Sequence, residues 1–165
     1  MNNRCVLLLL TMKKHAFDSI HTVSVLDALK NQGIEETYIE LIKNIYLNAT
    51  STIRLHKDSE KINIQKGVRQ GDTMSPKLFT AVLEGVFQTL NWEEVGLKIN
   101  GEYLSHLRFA DDITAIESSP EDMQLRIQQL SDASAKVGLK MNLDKTKVLF
   151  NKFVQQKDIM VDGKK

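Results

Sequence analysis

The sequence has almost no cysteine. Its 165 residues contain a single one, Cys5, and this excludes an internal disulfide. A chain that folds without disulfides fits a reducing compartment, so we expect an intracellular protein, whether nuclear or cytoplasmic. The four histidines are scattered, and no cysteine or histidine spacing matches a zinc site. Disulfide-stabilised secreted scaffolds and zinc-bound modules are therefore excluded.

The net charge is small, and long apolar runs are few. There are 22 basic and 21 acidic residues, a net charge of +1, so bulk charge neither favours nor excludes a nucleic-acid partner. The main apolar run, CVLLLLTM, begins at Cys5 and is too short to span a bilayer. It is followed by KKHAFD, which offers no small-residue cleavage site for a signal peptide. We expect a buried strand here and no membrane partner.

What is present is a succession of short strands and capped helices. Apolar residues at helical spacing predict helices in VSVLDALKNQG, IEETYIELIKNIYLN, SPKLFTAVLEGVFQTL and SSPEDMQLRIQQLSDASAKVG, with Ser75 and Ser119 as N-caps of the last two. Alternation around KDSE predicts one hairpin, and Asn100-Gly101 predicts another. LKMNLDKTKVLF should give two short strands, and DIMVDGKK the start of one more. This order predicts a single antiparallel α+β domain.

Two adjacent aspartates, Asp111 and Asp112, interrupt the apolar stretch LSHLRFADDITAIE at a predicted hairpin turn. Two like charges near 4 Å repel by roughly 4 kcal/mol at an effective dielectric of 20, so water or a cation must offset that cost. One interpretation is a solvated turn, where aspartate is common. The other is a Mg²⁺ site, since carboxylate oxygens are the ligands that this ion prefers. Local sequence alone leaves both open.

A second stretch, QKGVRQGDTMSPKLF, runs from Gln65 to Phe79. It can be an ordinary polar loop that leads into a capped helix. It can also be a loop whose glycines let the backbone approach a nucleotide, with Arg69 and Gln70 touching phosphate or base and a helix N-terminus behind them. Glycine and capping residues alone favour the ordinary loop.

The two stretches together decide between these interpretations. GVRQGDTMSPKLF followed further along by FADD closely resembles the reverse transcriptases of non-LTR retrotransposons. KKHAFDSI is similar to the end of the first catalytic motif of that family, GLKMNLDKTKVLF to the segment after the catalytic hairpin, and IMVDGKK to the opening of the next motif. The resemblance covers nearly the whole chain. It implies a polymerase palm, a small antiparallel sheet backed by helices in a ferredoxin-like arrangement, with fingers and thumb absent.

The resemblance also implies roles for individual residues. Asp111 and Asp112 match the catalytic, metal-binding pair of the family, and Lys145 matches a lysine that protonates or neutralises the departing pyrophosphate. Lys147 is the alternative if the register slips by two residues. The implied cofactor is Mg²⁺, two ions in the family.

Four residues match substrate contacts of the family. Phe17 matches the aromatic gate that excludes a ribonucleotide by bulk. Gln70 and Gly71 match the contact to dNTP and template, and Arg69 lies beside them. The implied partners are an RNA template with its DNA primer and dNTPs.

One expected carboxylate is missing. The remaining metal ligand of the family lies six positions before the aspartate of AFD, which here is Met12, since 18 − 6 = 12. If His15 is an extra residue, Thr11 takes that place instead. Neither side chain is a carboxylate, and a thioether is a poor Mg²⁺ ligand. Loss of one member of a catalytic unit removes rate on the order of 10⁴–10⁶. We therefore expect weak or absent metal binding.

These observations combine into one prediction with two alternatives. Residues 1–165 are predicted to be a partial reverse transcriptase palm domain, related to RNA-directed DNA synthesis by a two-metal mechanism and defective because Met12 replaces a metal-binding aspartate. The unusual start, MNNRCVLLLLTM, suggests a decayed copy read from an internal methionine. The alternatives are a non-catalytic remnant that binds nucleic acid or protein, and a functionless pseudogene product.

Overall fold

The computed structural model describes residues 4–13, 15–54 and 60–163. These residues form two compact units, one made of residues 15–85 and the other of residues 1–14 with 86–165. Among the described residues, no helix is both long enough and apolar enough to cross a membrane.

The unit of residues 15–85 is mainly helical. Its described residues form four helices and one small strand pair: α1 (Ala16–Ser19), α2 (Thr22–Asn31), α3 (Glu36–Leu47), β2 (Thr50–Ser51), β3 (Ile62–Asn63) and α4 (Ser75–Gln88), whose last residues pass the boundary between the units. The strands β2 and β3 pair antiparallel, as the predicted hairpin requires, while residues 55–59 of its turn lie outside the described residues. The predicted helices are confirmed.

One detail of α4 differs from the prediction. Ser75 is the first residue of the helix rather than its N-cap, and its hydroxyl donates a hydrogen bond to the carbonyl of Arg69. Asp72 instead accepts a hydrogen bond from the backbone N–H of Met74, at 2.9 Å. The helix therefore begins one residue earlier than the serine and proline pattern suggested, because that serine is used to close the preceding loop.

The other unit is built on a four-stranded antiparallel sheet. Its order is β6 (His106–Phe109), β7 (Asp112–Glu117), β1 (Val6–Thr11) and β8 (Lys147–Phe150). A separate hairpin pairs β4 (Leu97–Ile99) with β5 (Glu102–Leu104), and α5 (Pro120–Lys136) packs on β7 and β1. The predicted α+β class with small antiparallel sheets is thus confirmed.

Alternation along the sheet places its core on one face. Val6, Leu8 and Leu10 of β1 are buried, as are Ile113 and Ala115 of β7, while Leu9 is 40% exposed. Successive side chains of a strand point to opposite faces, so the buried set faces α5, whose Met123, Ile127 and Leu130 are fully buried. Each such side chain contributes roughly 1.5–3 kcal/mol to folding. Burial on this face fixes the register of β1 against its neighbours.

The segment after α5 differs from the prediction. LKMNLDKTKVLF gives one strand, β8, preceded by a 3-10 helix over Leu143–Lys145, where two strands were expected. Within DIMVDGKK, the described residues 158–163 form no regular strand. It is held along α5 instead: Gln124 exchanges two hydrogen bonds with the backbone of Met160, and Gln128 accepts one from the backbone N–H of Asp162. Side-chain amides thus replace a strand partner for this segment.

A buried ion pair joins the end of β7 to α5. Glu117 is 4% exposed, and Arg126 donates a hydrogen bond to its carboxylate at 3.2 Å. Burial raises the pKa of Glu117 above its usual value, and the guanidinium of Arg126 opposes that shift without cancelling it. The ion pair therefore connects the sheet to α5, although burial disfavours the charged form of Glu117.

Candidate active site

The paired aspartates lie at the turn of the β6–β7 hairpin, as the sequence predicted. Phe109 of β6 pairs with Asp112, the first residue of β7, and Ala110 and Asp111 form the turn between them. Ala110 has a φ of 53°, in the left-handed region that non-glycine residues rarely occupy. Phe109 is 84% exposed, Asp112 is exposed and Asp111 is half-buried. Both carboxylates are thus carried at one end of the sheet.

The end of β1 lies directly beside this hairpin. Thr11 pairs with Asp112 in the antiparallel register, so both side chains are on the same face of the sheet. The hydroxyl of Thr11 donates a hydrogen bond to Asp111 Oδ2 at 2.8 Å. Of the two residues that the sequence offered for this place, the structure brings Thr11 into contact with the aspartate pair.

Met12 faces the other way. Its side chain is 2% exposed, and its backbone forms an isolated antiparallel bridge with Met141. In a strand, the neighbour of a site-facing residue points into the core, and Met12 follows that rule. Sequence spacing alone could not show this, because the outcome depends on the register of β1 against β7.

Among the described residues, the aspartate pair has no third acidic side chain with which to hold a metal ion. No group of three or more histidine, cysteine, aspartate or glutamate side chains that could hold a metal ion occurs within residues 4–13, 15–54 and 60–163. Lys145, matched by resemblance to a lysine that protonates or neutralises pyrophosphate, is exposed at the end of the 3-10 helix. Asn142, the residue before that helix, donates a hydrogen bond from its backbone N–H to the carbonyl of Thr11. Lys147 is exposed on β8 and pairs with Leu9.

The predicted substrate residues belong to the other unit, residues 15–85. Phe17 in α1 stacks on Phe79 of α4, with ring centroids 4.7 Å apart and an interplanar angle of 10°. This stack fixes the ring that the sequence predicted as the sugar gate. Phe79 was not among the predicted site residues, because only the fold brings α1 and α4 together.

The loop before α4 carries Arg69, Gln70 and Gly71, all of them exposed. It is attached to α1 and to the residue after it by two backbone hydrogen bonds, from Val68 N–H to the carbonyl of Phe17 at 2.7 Å and from Gly67 N–H to that of Ile20 at 2.8 Å. The loop is therefore held close to the predicted gate residue.

Asp18 is a contact that sequence reasoning missed. The side-chain amide nitrogen of Gln70 donates to both of its carboxylate oxygens, at 2.8 and 3.0 Å, and His15 Nδ1 lies 3.2 Å from Asp18 Oδ2. In the sequence, Asp18 served only as the aspartate of AFD from which the position of the missing carboxylate was counted. Its partner in the loop lies far along the chain and could not be read from spacing.

A cavity of about 410 Å³ opens beside this contact, in the size range of ligand pockets. Its wall includes Asp18, Arg69 and Gln70 on the loop side and Tyr46 on the α3 side. The Tyr46 hydroxyl is buried and has no hydrogen-bond partner within the described part of the chain. Buried hydroxyls usually have a partner, so the Tyr46 hydroxyl is an exception among the described residues.

Comparison with known proteins agrees with this arrangement. A sequence model of the family described as reverse transcriptase (RNA-dependent DNA polymerase) matches residues 2–160. The Pol polyprotein of the retrotransposable element R2DM of Drosophila melanogaster is 30% identical over 79% of this chain, and that of the R2 element of Nasonia vitripennis is 32% identical over 78%. The aligned part is 12% of each polyprotein, so the chain spans a small share of these relatives.

Solved structures give the same fold. Apo telomerase from Candida tropicalis superposes with a TM-score of 0.70 over 93% of this chain and 30% of its own, at 14% sequence identity. Telomerase from Candida albicans, in complex with a fragment of telomeric RNA, gives 0.65 over 97% of this chain and 29% of its own. The expected palm-like fold is thereby confirmed. The chain belongs to the reverse transcriptase family, as its RQGD and FADD stretches indicated.

Proposed function

We propose that residues 1–165 are part of a reverse transcriptase palm, related to enzymes of RNA-directed DNA synthesis, whose own catalytic centre is incomplete. Its ligands would be an RNA template with a DNA primer and dNTPs. The observation that carries the proposal is the hydrogen bond from the Thr11 hydroxyl to Asp111, at 2.8 Å. A neutral hydroxyl thus occupies the end of β1, where Thr11 pairs with Asp112 and contacts Asp111.

The donor set does not fit two divalent cations. Asp111 and Asp112 supply two hard carboxylate ligands, which suit Mg²⁺, but two such ions carry four positive charges. The adjoining residue, Thr11, donates a hydrogen bond to Asp111 Oδ2, and this bond uses a lone pair with which Asp111 would bind a cation. We therefore assign no step of synthesis to metal ions in this chain. Lys145 would meet departing pyrophosphate only in a chain whose centre is complete.

We infer that Thr11, rather than Met12, stands where the family has its third carboxylate. Support comes from the contact of Thr11 with Asp111 and from the burial of Met12. This register treats His15 as an added residue in KKHAFD, and its imidazole is accordingly exposed. A substitution at Thr11 and one at Met12 therefore have opposite consequences, and this makes the proposal testable.

The test is a Mn²⁺ titration followed by thermal unfolding of the full chain. Thr11→Asp should gain metal-dependent stability, since a ligand at 100 times its Kd adds about 2.7 kcal/mol. For a chain of this size that is a midpoint rise of roughly 5–10 °C. Met12→Asp, the matched control, should lose stability with or without Mn²⁺, because it buries an unpaired carboxylate. Asp111→Asn in the Thr11→Asp background should abolish the gain.

Two results would overturn the proposal. If the native chain is already stabilised by Mn²⁺ and loses this with Asp111→Asn, its centre is complete. If Met12→Asp gains the metal response and Thr11→Asp does not, the register is the other one and Met12 replaces the ligand.

A second candidate function is nucleic-acid binding without synthesis. It is favoured by the loop of residues 67–72, whose backbone is held in place while Arg69 and Gln70 remain exposed. Binding of a fluorescently labelled RNA–DNA hybrid over a salt series tests it, because each phosphate contact steepens the decline of affinity with salt. Binding that is absent at low salt would refute this function.

A further inference from the structure

The contact between Asp18 and Gln70 joins two segments that are distant in sequence. Gln70 Nε2 donates to Asp18 Oδ1 at 2.8 Å and to Oδ2 at 3.0 Å. Both side chains are exposed, so a ligand can reach them. The carboxylate of Asp18 has one further partner, His15 Nδ1, at 3.2 Å from Oδ2.

The backbones under this contact are held at a fixed separation. Gly67 and Val68 donate hydrogen bonds to the carbonyls of Ile20 and Phe17. A Cβ atom on Gly67 would lie 2.8 Å from Asp18 Cα, closer than real Cβ contacts, so only glycine permits this approach. With the backbones fixed in this way, the contact costs mainly the rotamer freedom of the Gln70 side chain.

The chemistry of the two groups determines which end of the amide faces outward. A glutamine amide has a donating nitrogen and an accepting oxygen, and in solution either can turn toward a ligand. An ionised carboxylate only accepts, so it holds the nitrogen of Gln70. The carbonyl oxygen Oε1, bonded to the same carbon, then faces away from Asp18.

We propose that Asp18 is a positioning residue that fixes the amide of Gln70, so that Gln70 presents a hydrogen-bond acceptor to a donor group of the nucleic acid. The inference rests on the proposed function, in which this loop contacts an RNA template with its DNA primer. It goes beyond that function in specifying which atom of Gln70 makes the contact and which residue aligns it.

The first readout is the Gln70 side-chain amide in a ¹⁵N-labelled full chain, assigned by its disappearance in Gln70→Ala. Asp18→Asn should move this resonance, because an asparagine can donate as well as accept and lets the amide turn. Asp27→Asn removes the same charge from an exposed position of α2 in the same unit and should leave the resonance in place. Thermal unfolding of each variant shows whether it is folded.

The second readout is affinity for a labelled RNA template–DNA primer hybrid. Gln70→Ala should weaken binding by roughly tenfold, as expected for one lost hydrogen bond. Asp18→Asn should weaken it in part, and the double variant should bind no more weakly than Gln70→Ala alone, since coupled residues are not additive. Asp27→Asn should bind as the native chain does.

The outcomes separate the inference from the function beneath it. An unmoved Gln70 resonance in Asp18→Asn, or additive losses in the double variant, would overturn the role of Asp18 even if the native chain binds the hybrid well. If the native chain does not bind the hybrid, the proposed function fails and the acceptor role fails with it. The amide resonance then still decides whether Asp18 orients Gln70.

Discussion

Gly67 and Gly71 provide a matched test of how closely the loop of residues 67–72 approaches Asp18. Both have a positive φ, 94° and 85°, so alanine is strained at either position. They differ in their surroundings. A Cβ on Gly67 would lie 2.8 Å from Asp18 Cα and 2.9 Å from its carbonyl oxygen, whereas a Cβ on Gly71 would meet no atom within 4 Å.

The expected costs follow from this difference. Left-handed backbone costs an alanine about 1–2 kcal/mol, offset by about 0.4–1 kcal/mol from the reduced freedom of the unfolded chain. Gly71→Ala should therefore lower the free energy of unfolding by about 1 kcal/mol. Gly67→Ala carries the same cost and adds overpacking of roughly 1–3 kcal/mol, since Asp18 backbone cannot swing aside as a side chain would. We expect about 3 kcal/mol in total.

Urea unfolding of the two variants and the native chain measures both costs. The backbone hydrogen bonds donated by residues 67 and 68 should also lengthen in Gly67→Ala. The amides of these two residues should therefore exchange faster in Gly67→Ala, and stay protected in Gly71→Ala and the native chain. Equal costs for the two variants, within about 0.5 kcal/mol, would show that the loop does not approach Asp18 in solution and would refute the reasoning.

Three further predictions concern the other unit. Because burial raises the pKa of Glu117, the folded state binds its proton more tightly, and stability should fall as pH rises from about 4.5 through the raised value. Glu117→Gln should flatten that decline in urea melts from pH 4 to 8, and an unchanged slope would contradict the assignment. Ala110→Gly should stabilise the chain by roughly 0.8 kcal/mol by relieving the positive φ, as thermal unfolding would show; a lower midpoint would count against it. Ser119→Ala should cost about 1 kcal/mol, because Ser119 Oγ accepts from the backbone N–H of Asp122 at the start of α5; no loss would mean that the cap is not formed in solution.

Local chemistry explains which parts of the fold could be predicted. Asn100 and Gly101 both have positive φ, as a tight two-residue hairpin requires, and Ser119 caps α5 through Asp122. Each of these depends on residues within one turn of the chain, so the sequence is sufficient to specify it. The amphipathic helices follow for the same reason.

Contacts between distant segments explain the rest. The choice between Thr11 and Met12 depends on how β1 registers against β7, and a shift of one residue would exchange the faces of the sheet. The stack of Phe79 on Phe17 and the hydrogen bonds of Gln70 to Asp18 depend in the same way on where α4 and its loop return along the chain. Family resemblance suggested the candidate site residues, and the structure shows which side chains lie beside them.

The threonine at the end of β1 also bears on the stability of the β6–β7 hairpin. A carboxylate at that place would meet Asp111 as a like charge, at a cost of roughly 4 kcal/mol near 4 Å, whereas the hydroxyl of Thr11 bonds to it. If Thr11 stands in place of a carboxylate, as proposed above, the hairpin gains a contact that needs no counter-ion and loses a ligand for a metal ion, a trade between activity and stability.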